Sequence, residues 1–207
     1  TFGALLAAAA AVRAGPPPAA ILVEPVVECV PSVAWLQGLR DLADAAGAVL
    51  IFDEVKTAFR LARGGAAERW GVRPDLAVVG KALANGFPLA AVLGRAELMA
   101  RVRETWISST LATEFVALAA ARAVLEVWDG TDVATHIAAV GERLMDGLRF
   151  LGVRGRFEVA GLPEMFFLRF ESEDEERRVL LGAAERGVLL KRGAYNFPSL
   201  AHGPANV

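Results

Sequence analysis

Short apolar runs and amphipathic stretches alternate along the first part of the chain. The apolar runs Ala20–Val23, 48–52 and Leu76–Val79 are four or five residues long, which is typical of buried strands. Between the first two runs, residues 32–46 carry apolar side chains at helical spacing, with a serine suited to cap the start and a glycine after the end. This strand–helix–strand order predicts an α/β fold, with a mostly parallel sheet and helices on both of its faces.

The predicted elements continue to the end of the chain in two groups. Up to about residue 130 we predict a short helix at 66–70, an apolar run at 89–93, and helices at 96–103 and 114–128. Beyond it we predict an amphipathic helix at 133–151, strands at 156–160 and 165–170, and an acidic helix at 173–187. Because the alternation stops near residue 130, we expect residues 1–129 to form one domain and 130–207 a smaller, incomplete α+β domain.

Two stretches are unusually rich in alanine and aliphatic residues. Nearly every residue of 114–128 is apolar, so we expect that helix to be buried on most of its sides. The segment 5–12 resembles the apolar part of a signal peptide, but no basic residues precede it and it is too short to span a bilayer. We therefore expect an alanine-rich helix there, which ends at Gly15.

Composition narrows the possible partners and the compartment. The 207 residues, 55% of them hydrophobic, suffice for a packed core. A net charge of −2 gives no electrostatic reason for a nucleic-acid partner, and no segment predicts a membrane span. The single cysteine, Cys29, permits no internal disulfide, which agrees with a cytoplasmic location. We expect Cys29 to serve as a small hydrophobe near a strand end.

Two charged residues stand at the ends of predicted neighbouring strands. Asp53 follows the run 48–52, and Lys81 follows Leu76–Val79 after one glycine. Both would lie at the carboxyl edge of the sheet, where open α/β sheets place their chemistry. An amine and a carboxylate there suit pyridoxal phosphate (PLP), which needs a lysine for its Schiff base and an acid for its pyridine nitrogen. The alternative is a strand-end turn former at Asp53 and a snorkelling surface lysine at Lys81.

Several motifs together resemble the class III PLP-dependent aminotransferases, most closely the branch that contains glutamate-semialdehyde aminomutase. They occur in family order and with family-like spacing over about residues 19–130. The motifs are Val23-Glu24-Pro25-Val26, Leu50-Ile51-Phe52-Asp53-Glu54-Val55-Lys56-Thr57-Ala58-Phe59-Arg60, Gly71-Val72-Arg73-Pro74-Asp75-Leu76, Gly80-Lys81 and Ser109-Thr110-Leu111. The resemblance implies part of the large, PLP-binding domain of fold type I in residues 1–129, followed by part of the small C-terminal domain.

The resemblance also implies a role for each site residue. Lys81 would be the catalytic Schiff-base lysine, Asp53 the partner of the pyridine nitrogen, and Val55 the side chain packed on one face of the ring. Thr110 would reach the cofactor phosphate of a neighbouring subunit in a homodimer; its alternative is the N-cap of the following helix. Glu24 would either order the site or serve a structural purpose. We expect no metal ion in the site.

The chain also departs from the family pattern. Family members are roughly twice as long, and their phosphate-binding turn and ring-stacking aromatic lie upstream of the part that this chain matches. The chain does not begin with methionine, from which we expect that an upstream portion is missing. Lys56 and Glu114 are unusual at their positions, and both could tune substrate choice. The alternatives are an ordinary surface lysine at Lys56 and a solvated helix start at Glu114.

The sequence leaves several activities open. The leading hypothesis is amino-group transfer, either by an aminotransferase with an amino donor and a keto or aldehyde acceptor, or by an aminomutase. An amino-acid racemase or epimerase on the same scaffold and a truncated, non-catalytic copy are the alternatives. A nucleotide-binding domain is disfavoured because no glycine-rich phosphate-binding motif follows a strand. Arg60 and Arg192 are available to bind a substrate carboxylate.

Overall fold

The computed structural model describes residues 9–12, 14–107, 109–112, 114–152 and 157–203. The chain divides into two compact units: Thr1–Val27 with Pro31–Thr131 form unit 1, and Glu28–Val30 with Asp132–Val207 form unit 2. Residues 9–12 are helical, in agreement with the predicted alanine-rich helix, whose first four residues lie outside the described ranges. Among the described residues, no helix has the length and apolar character needed to cross a membrane.

Unit 1 alternates strands and helices, as predicted. Its strands are β1 (Ala20–Val23), β2 (Val49–Asp53), β3 (Leu76–Val79) and β4 (Ala91–Gly94). Its α-helices are α1 (Val33–Ala46), α2 (Gly65–Trp70), α3 (Ala96–Met99) and α4 (Phe115–Gly130), and its 3₁₀ helices are Lys81–Leu83 and Ala100–Glu104.

The four strands form one sheet in the order β1-β2-β3-β4, and the first three are parallel. Val23 pairs with Phe52, and Asp53 pairs with Val78, so these three strands end at the same edge. β4 runs antiparallel to β3 and pairs with it from Leu76–Gly94 to Val79–Ala91. The predicted α/β fold with a mostly parallel sheet is confirmed.

The core of unit 1 is built where α1 packs on β2. Ser32 caps the helix by accepting a hydrogen bond from Trp35 N at 3.1 Å, and Gly47 ends it in the left-handed conformation at φ 64°. The helix then buries three side chains against the even-numbered positions of β2. The residues buried in this contact are Leu36, Leu39, Ala43, Leu50 and Phe52.

The expectation that α4 is buried on most sides is wrong. Within this chain the helix buries only Ala117 and Ala121, whereas the Phe115 and Val116 side chains are 81% and 56% exposed. An alanine- and aliphatic-rich sequence shows that a helix is apolar, but it does not show which chain supplies the surface that covers it. Cys29, expected to act as a small hydrophobe, is likewise exposed.

A charged network closes the amino edge of the sheet. The Asp75 carboxylate, at the start of β3, accepts hydrogen bonds from Leu50 N at 2.8 Å, Arg40 at 2.8 Å and Arg95 at 2.9 Å. These contacts join α1, β2, β3 and the end of β4. Burial raises the pKa of Asp75, but the hydrogen bonds from Leu50, Arg95 and Arg40 outweigh it and lower that pKa to about 2.

Unit 2 consists of the helices α5 (Val133–Gly152) and α6 (Glu173–Ala184) and the antiparallel hairpin of β5 (Phe157–Leu162) and β6 (Met165–Phe170). The helix α5 lies close to the hairpin turn, since a methyl group at Gly141 would overlap the carbonyl of Pro163. Apolar side chains from both elements are buried in this unit. They include Ile137, Val140, Met145, Leu162, Met165 and Phe166.

We expect Asp75→Asn to lower the free energy of unfolding at neutral pH. The lowered pKa of Asp75 corresponds to roughly 2 kcal/mol, and solvent screening at the half-exposed Arg95 reduces the contribution to about 1 kcal/mol. Because the folded pKa lies below the unfolded one, this stability is present above about pH 4 and is lost as the pH falls toward 2. Urea unfolding followed by far-UV circular dichroism from pH 7 to pH 2 measures it.

Asp146→Asn is the matched control, because the exposed Asp146 carboxylate pairs only one turn away with Arg149, at 3.0 Å. We expect no resolvable change in stability for this variant. A stability difference between Asp75→Asn and the native chain that stayed constant down to pH 2 would contradict the ionic role of Asp75.

Candidate active site

Lys81 lies at the carboxyl end of β3 and begins the 3₁₀ helix Lys81–Leu83. Its backbone is left-handed, with φ 44°, a conformation that costs a non-glycine residue about 1–3 kcal/mol. Such strain persists only where the surroundings enforce it, and it concentrates at functional sites. The side chain is exposed, so its amine is accessible from solvent.

The turn after Lys81 holds this conformation. The Lys81 carbonyl accepts hydrogen bonds from Ala84 N at 3.3 Å and Asn85 N at 3.0 Å. Asn85 and Gly86 also have positive φ, 46° and 110°. An asparagine–glycine pair is a turn signal, because both residues tolerate the left-handed region. This pair in the sequence is therefore a local signal for the turn that follows Lys81.

The same turn borders an open cavity of about 550 Å³. Lys81 and Arg60 supply its cationic side chains, Asn85 an amide and Phe87 an exposed ring. This volume falls within the range typical of small-molecule sites. Of the two arginines noted in the sequence, Arg60 therefore lies at the same cavity as Lys81.

Asp53 is the last residue of β2, the strand that neighbours β3. Its Oδ1 atom accepts a hydrogen bond from Val55 N at 3.0 Å, which fixes the orientation of the carboxylate. Oδ2 accepts no hydrogen bond from the described part of the chain. Asp53 therefore offers one oriented, half-buried acceptor at the edge of the sheet where Lys81 lies.

Val55 lies beside the glycine that precedes Lys81. A methyl group built on Gly80 would be 3.5 Å from Val55 Cγ1, which is ordinary van der Waals contact. The half-buried Val55 side chain is thus an apolar neighbour of the strand end that carries the amine.

Glu24 and Lys56 form an ion pair at the same edge. Glu24 follows β1, Lys56 follows β2 by three residues, and their charged atoms are 2.5 Å apart. The Lys56 side chain is only 14% exposed. The interpretation of Lys56 as an ordinary surface lysine is therefore wrong, because a lysine so well covered needs a partner such as Glu24.

Thr110 lies in an exposed turn and is not among the residues that line the Lys81 cavity in the described part of the chain. The N-cap of α4 is Glu114, whose carboxylate accepts hydrogen bonds from Val116 N at 2.8 Å and Ala117 N at 2.6 Å. The alternative interpretation of Thr110 as an N-cap is therefore wrong. The structural interpretation of Glu114 as a helix start agrees with this geometry.

Glu54, which directly follows Asp53, is buried, and no motif in the sequence assigns it a role. Its carboxylate accepts hydrogen bonds from Thr57 Oγ1 and from Ala66 N and Ala67 N, both at 2.8 Å. Burial raises the pKa of Glu54, and these hydrogen bonds oppose that rise without cancelling it. The bonds fasten the loop that contains Arg60 to the end of β2. Sequence shows an acid after a strand, but its inward orientation depends on where that loop folds.

Arg192, in unit 2, is engaged by acids. It contacts Glu176 at 3.0 Å and Glu173 at 3.3 Å. The Glu176 hydrogen bond, supported by the charges of both acids, raises the pKa of Arg192. Arg192 thus joins the segment that follows α6 (Glu173–Ala184) to the first turn of that helix.

Comparisons with known proteins match nearly the whole chain. The sequence profile of the family "Aminotransferase class-III" matches residues 5–200. A Gemmatimonas aurantiaca protein, glutamate-1-semialdehyde 2,1-aminomutase, is 37% identical over 215 residues, which cover 92% of this chain and 49% of that protein.

Solved structures agree with the fold. The ornithine aminotransferase from Toxoplasma gondii, in which PLP partially occupies the active site, matches with a TM-score of 0.85 and 27% identity over 100% of this chain and 51% of that one. The PLP internal aldimine form of the FumI protein from Sphingopyxis sp. MTA144 matches in fold, with a TM-score of 0.89, 24% identity and coverage of 98% and 52%. The chain spans about half the length of the relatives that it matches.

Gly65→Ala is expected to displace the Glu54 carboxylate. Gly65 has φ 69°, and a methyl group there would overlap Glu54 Oε2 and lie 2.9 Å from Ala58 N. We expect a loss of about 3 kcal/mol, from left-handed backbone strain and from the broken buried hydrogen bonds. Urea unfolding of the purified chain measures this loss.

Gly71→Ala is a matched control, because Gly71 has φ 68° and nothing lies within 4 Å of an added methyl group. It carries the same backbone strain without the clash, so we expect a loss of only about 1 kcal/mol. Equal losses for the two variants would show that the contact between Gly65 and Glu54 is unimportant.

Proposed function

The chain belongs to the class III aminotransferase family, and on that premise we propose that it transfers amino groups with PLP bound through Lys81. The observation that carries this proposal is the Lys81 amine itself. Lys81 has a left-handed backbone at the carboxyl end of β3 and lines an open cavity of about 550 Å³. The proposal covers amino donors paired with keto or aldehyde acceptors.

The side chains at this sheet edge fit PLP. Lys81 offers an accessible amine, Asp53 an oriented carboxylate whose Oδ2 is open to a further donor, and Val55 an apolar surface beside them. Bound PLP supplies an aldehyde that condenses with amines and a protonated ring that withdraws electrons from the substrate Cα.

Each residue then has a distinct task. The Lys81 amine would hold the cofactor and would move a proton at the substrate Cα. The Asp53 carboxylate would accept a hydrogen bond from the pyridine N–H and would keep that nitrogen protonated. Val55 would pack against one face of the ring. Glu24, paired with Lys56, orders the neighbouring strand end.

We extend the proposal to the assembly. Thr110 would bind the cofactor phosphate of a second subunit in a cytoplasmic homodimer. Its exposed position supports this, as do the nearby side chains of Trp106, Ile107 and Phe115, which are 97%, 73% and 81% exposed. Such large exposed apolar side chains are typical of surfaces that another polypeptide covers. Light scattering coupled to size-exclusion chromatography would show whether the chain is a dimer.

We also propose which domain of the family each unit represents. Unit 1 would be part of the large, cofactor-binding domain, and unit 2 part of the small C-terminal domain. The similarity to an aminomutase makes intramolecular transfer a specific version of the proposal. Product analysis separates the versions: an aminotransferase needs a keto-acid partner, an aminomutase isomerises one substrate, and a racemase only alters chirality.

The first test is attachment of PLP. The chain has three lysines, Lys56, Lys81 and Lys191, so borohydride reduction followed by peptide mass spectrometry identifies the attachment point directly. We expect the label on Lys81, together with an absorbance band that Lys81→Ala abolishes.

Lys191→Ala is the control, since Lys191 is exposed and lies in unit 2. It should retain both the band and the label on Lys81. A label on Lys56, or a band unchanged in Lys81→Ala, would refute the assignment of Lys81. If the chain is folded and none of its lysines carries the label, the result would favour the alternative of a truncated, non-catalytic copy.

The second test concerns Asp53. Asp53→Asn removes the charge that keeps the ring nitrogen protonated, so we expect about a 10²-fold slower single-turnover reaction with an amino donor. Attachment of PLP to Lys81 should persist, because the amine is unaltered. An unchanged rate in Asp53→Asn would exclude Asp53 as the ring partner.

A further inference from the structure

Glu54 is a charged residue in a core position. Like the even-numbered residues of β2, it is buried, with 1% of its surface exposed, whereas the odd-numbered residues of this segment are half-buried. The strand pairing continues at this point, since Glu54 N–H donates a hydrogen bond to the Val78 carbonyl at 2.8 Å. Because successive side chains of a strand point to opposite faces, Glu54 lies on the core face and its neighbours Asp53 and Val55 lie on the other.

Stability does not account for a carboxylate at this position. Burial raises the pKa of Glu54, and the hydrogen bonds that the carboxylate accepts lower it without cancelling the effect of burial. The charge of the adjacent Asp53 raises it further. Because the folded pKa lies above the unfolded one, the stability that protonated Glu54 contributes is lost as the pH rises through the folded pKa. An ionisable group held at such a cost is typical of functional sites.

The Glu54 carboxylate holds both ends of the loop that follows it. Its Oε2 atom accepts hydrogen bonds from Thr57 Oγ1, at the start of the loop, and from Ala66 N at 2.8 Å, at its end. Its Oε1 atom accepts a third hydrogen bond, from Ala67 N at 2.8 Å. The loop between these contacts includes Arg60, which lines the candidate cavity. One buried carboxylate therefore fixes part of the cavity wall.

We propose that Glu54 is a positioning residue for the candidate active site, which fixes the orientation of Asp53 and the place of the loop 57–66 before the cofactor binds. Glu54 would touch neither cofactor nor substrate, because it lies on the core face. A carboxylate suits this task, since both of its oxygens accept hydrogen bonds and neither donates one. A group held in this way by buried hydrogen bonds gives a site its pre-organised geometry. The proposal rests on the function proposed for Lys81.

Glu54→Gln tests the proposal in the cofactor-free chain. Glutamine keeps the size of the side chain but places an NH₂ group against one of the donors that the carboxylate now accepts. We expect amide hydrogen exchange, measured by NMR, to become about tenfold faster at Ala66, Ala67 and Val55. Val55 N–H reports on Asp53, because it donates a hydrogen bond to Asp53 Oδ1 at 3.0 Å.

Thr57→Val is the milder variant, should Glu54→Gln fail to fold. It removes one of the three hydrogen bonds to the carboxylate and keeps the shape of the buried side chain. We expect faster exchange at the same amides, by a smaller factor. Native exchange rates at Val55 in a folded Glu54→Gln, or in Thr57→Val if only that variant folds, would overturn the proposal.

Glu68→Gln is the matched control. Glu68 is an exposed acid of α2 that accepts a hydrogen bond from Gly64 N at 2.6 Å, near the end of the same loop. The same chemical change at this position should leave the exchange of Val55 and Ala66 at the native rate. Equally faster exchange of Val55 in both variants would show a general effect of lost negative charge and would overturn the proposal.

The absorbance band of PLP attached to Lys81 gives a second measurement, which a merely structural role of Glu54 would not move. A changed orientation of Asp53 alters the protonation of the ring nitrogen and so shifts the pH midpoint of the band. We expect Glu54→Gln and Asp53→Asn to shift this midpoint in the same direction. The double variant should shift it no further than Asp53→Asn, because Glu54 acts through Asp53.

An unshifted midpoint in Glu54→Gln, or additive shifts in the double variant, would overturn the positioning role. Failure of the native chain to take up PLP would instead refute the function proposed for Lys81. In that case amide exchange in the cofactor-free chain still decides whether Glu54 positions Asp53.

Discussion

The parallel hydrogen bonding of β1, β2 and β3 brings three of the candidate functional groups to one edge of the sheet. Parallel strands end at one edge, so Glu24, Asp53 and Lys81 share that edge although 57 positions separate the first from the last. A register slip of one residue would turn each strand-end side chain to the opposite face. The Asp75 network lies at the other edge, where Leu50 N, Arg40 and Arg95 hold the strand starts together. The Asp75 network and the candidate site residues thus lie at opposite edges of the sheet.

Two local features fix the backbone near this edge of the sheet. The buried Glu54 carboxylate fastens the loop of residues 57–66, which fits only because Gly65 lacks a side chain. The left-handed backbone at Lys81 is held by the turn through Asn85 and Gly86. The Glu54 contacts position the loop that carries Arg60, and the turn positions Lys81. Both residues line the same cavity. A left-handed backbone and a buried carboxylate, each unfavourable alone, thereby help to fix the positions of Lys81 and Arg60.

The exposed apolar side chains of unit 1 bear on the assembly that we propose. The helix α4 and residues 106–107 present large apolar side chains to solvent, and the chain spans about half the length of its relatives. Surfaces of this kind commonly mark sites where another polypeptide binds. A shared site in a homodimer, in which Thr110 reaches the partner's cofactor, is the arrangement that we propose for this surface.

Much of the fold could be predicted from the sequence, because apolar periodicity is a local property. The runs that became β1, β2 and β3 and the caps of α1 at Ser32 and Gly47 were recognisable from the residues alone. The motifs around Asp53 and Lys81 likewise indicated the family before any geometry was known. Predictions of burial and exposure, which depend on the surroundings of a residue, were wrong at two places. The helix α4 is not buried within this chain, and the Lys56 side chain is covered.

The difference has a physical reason. The sequence by itself determined which segments form strands and helices and which residues carry reactive groups, since both follow from side-chain chemistry and short-range spacing. Only the tertiary structure decided that Glu54 points inward, that Lys56 pairs with Glu24, and that Arg60 and Lys81 share a cavity. Those outcomes depend on contacts between residues far apart in the chain, which form only after the strands have paired and the loops have closed on them.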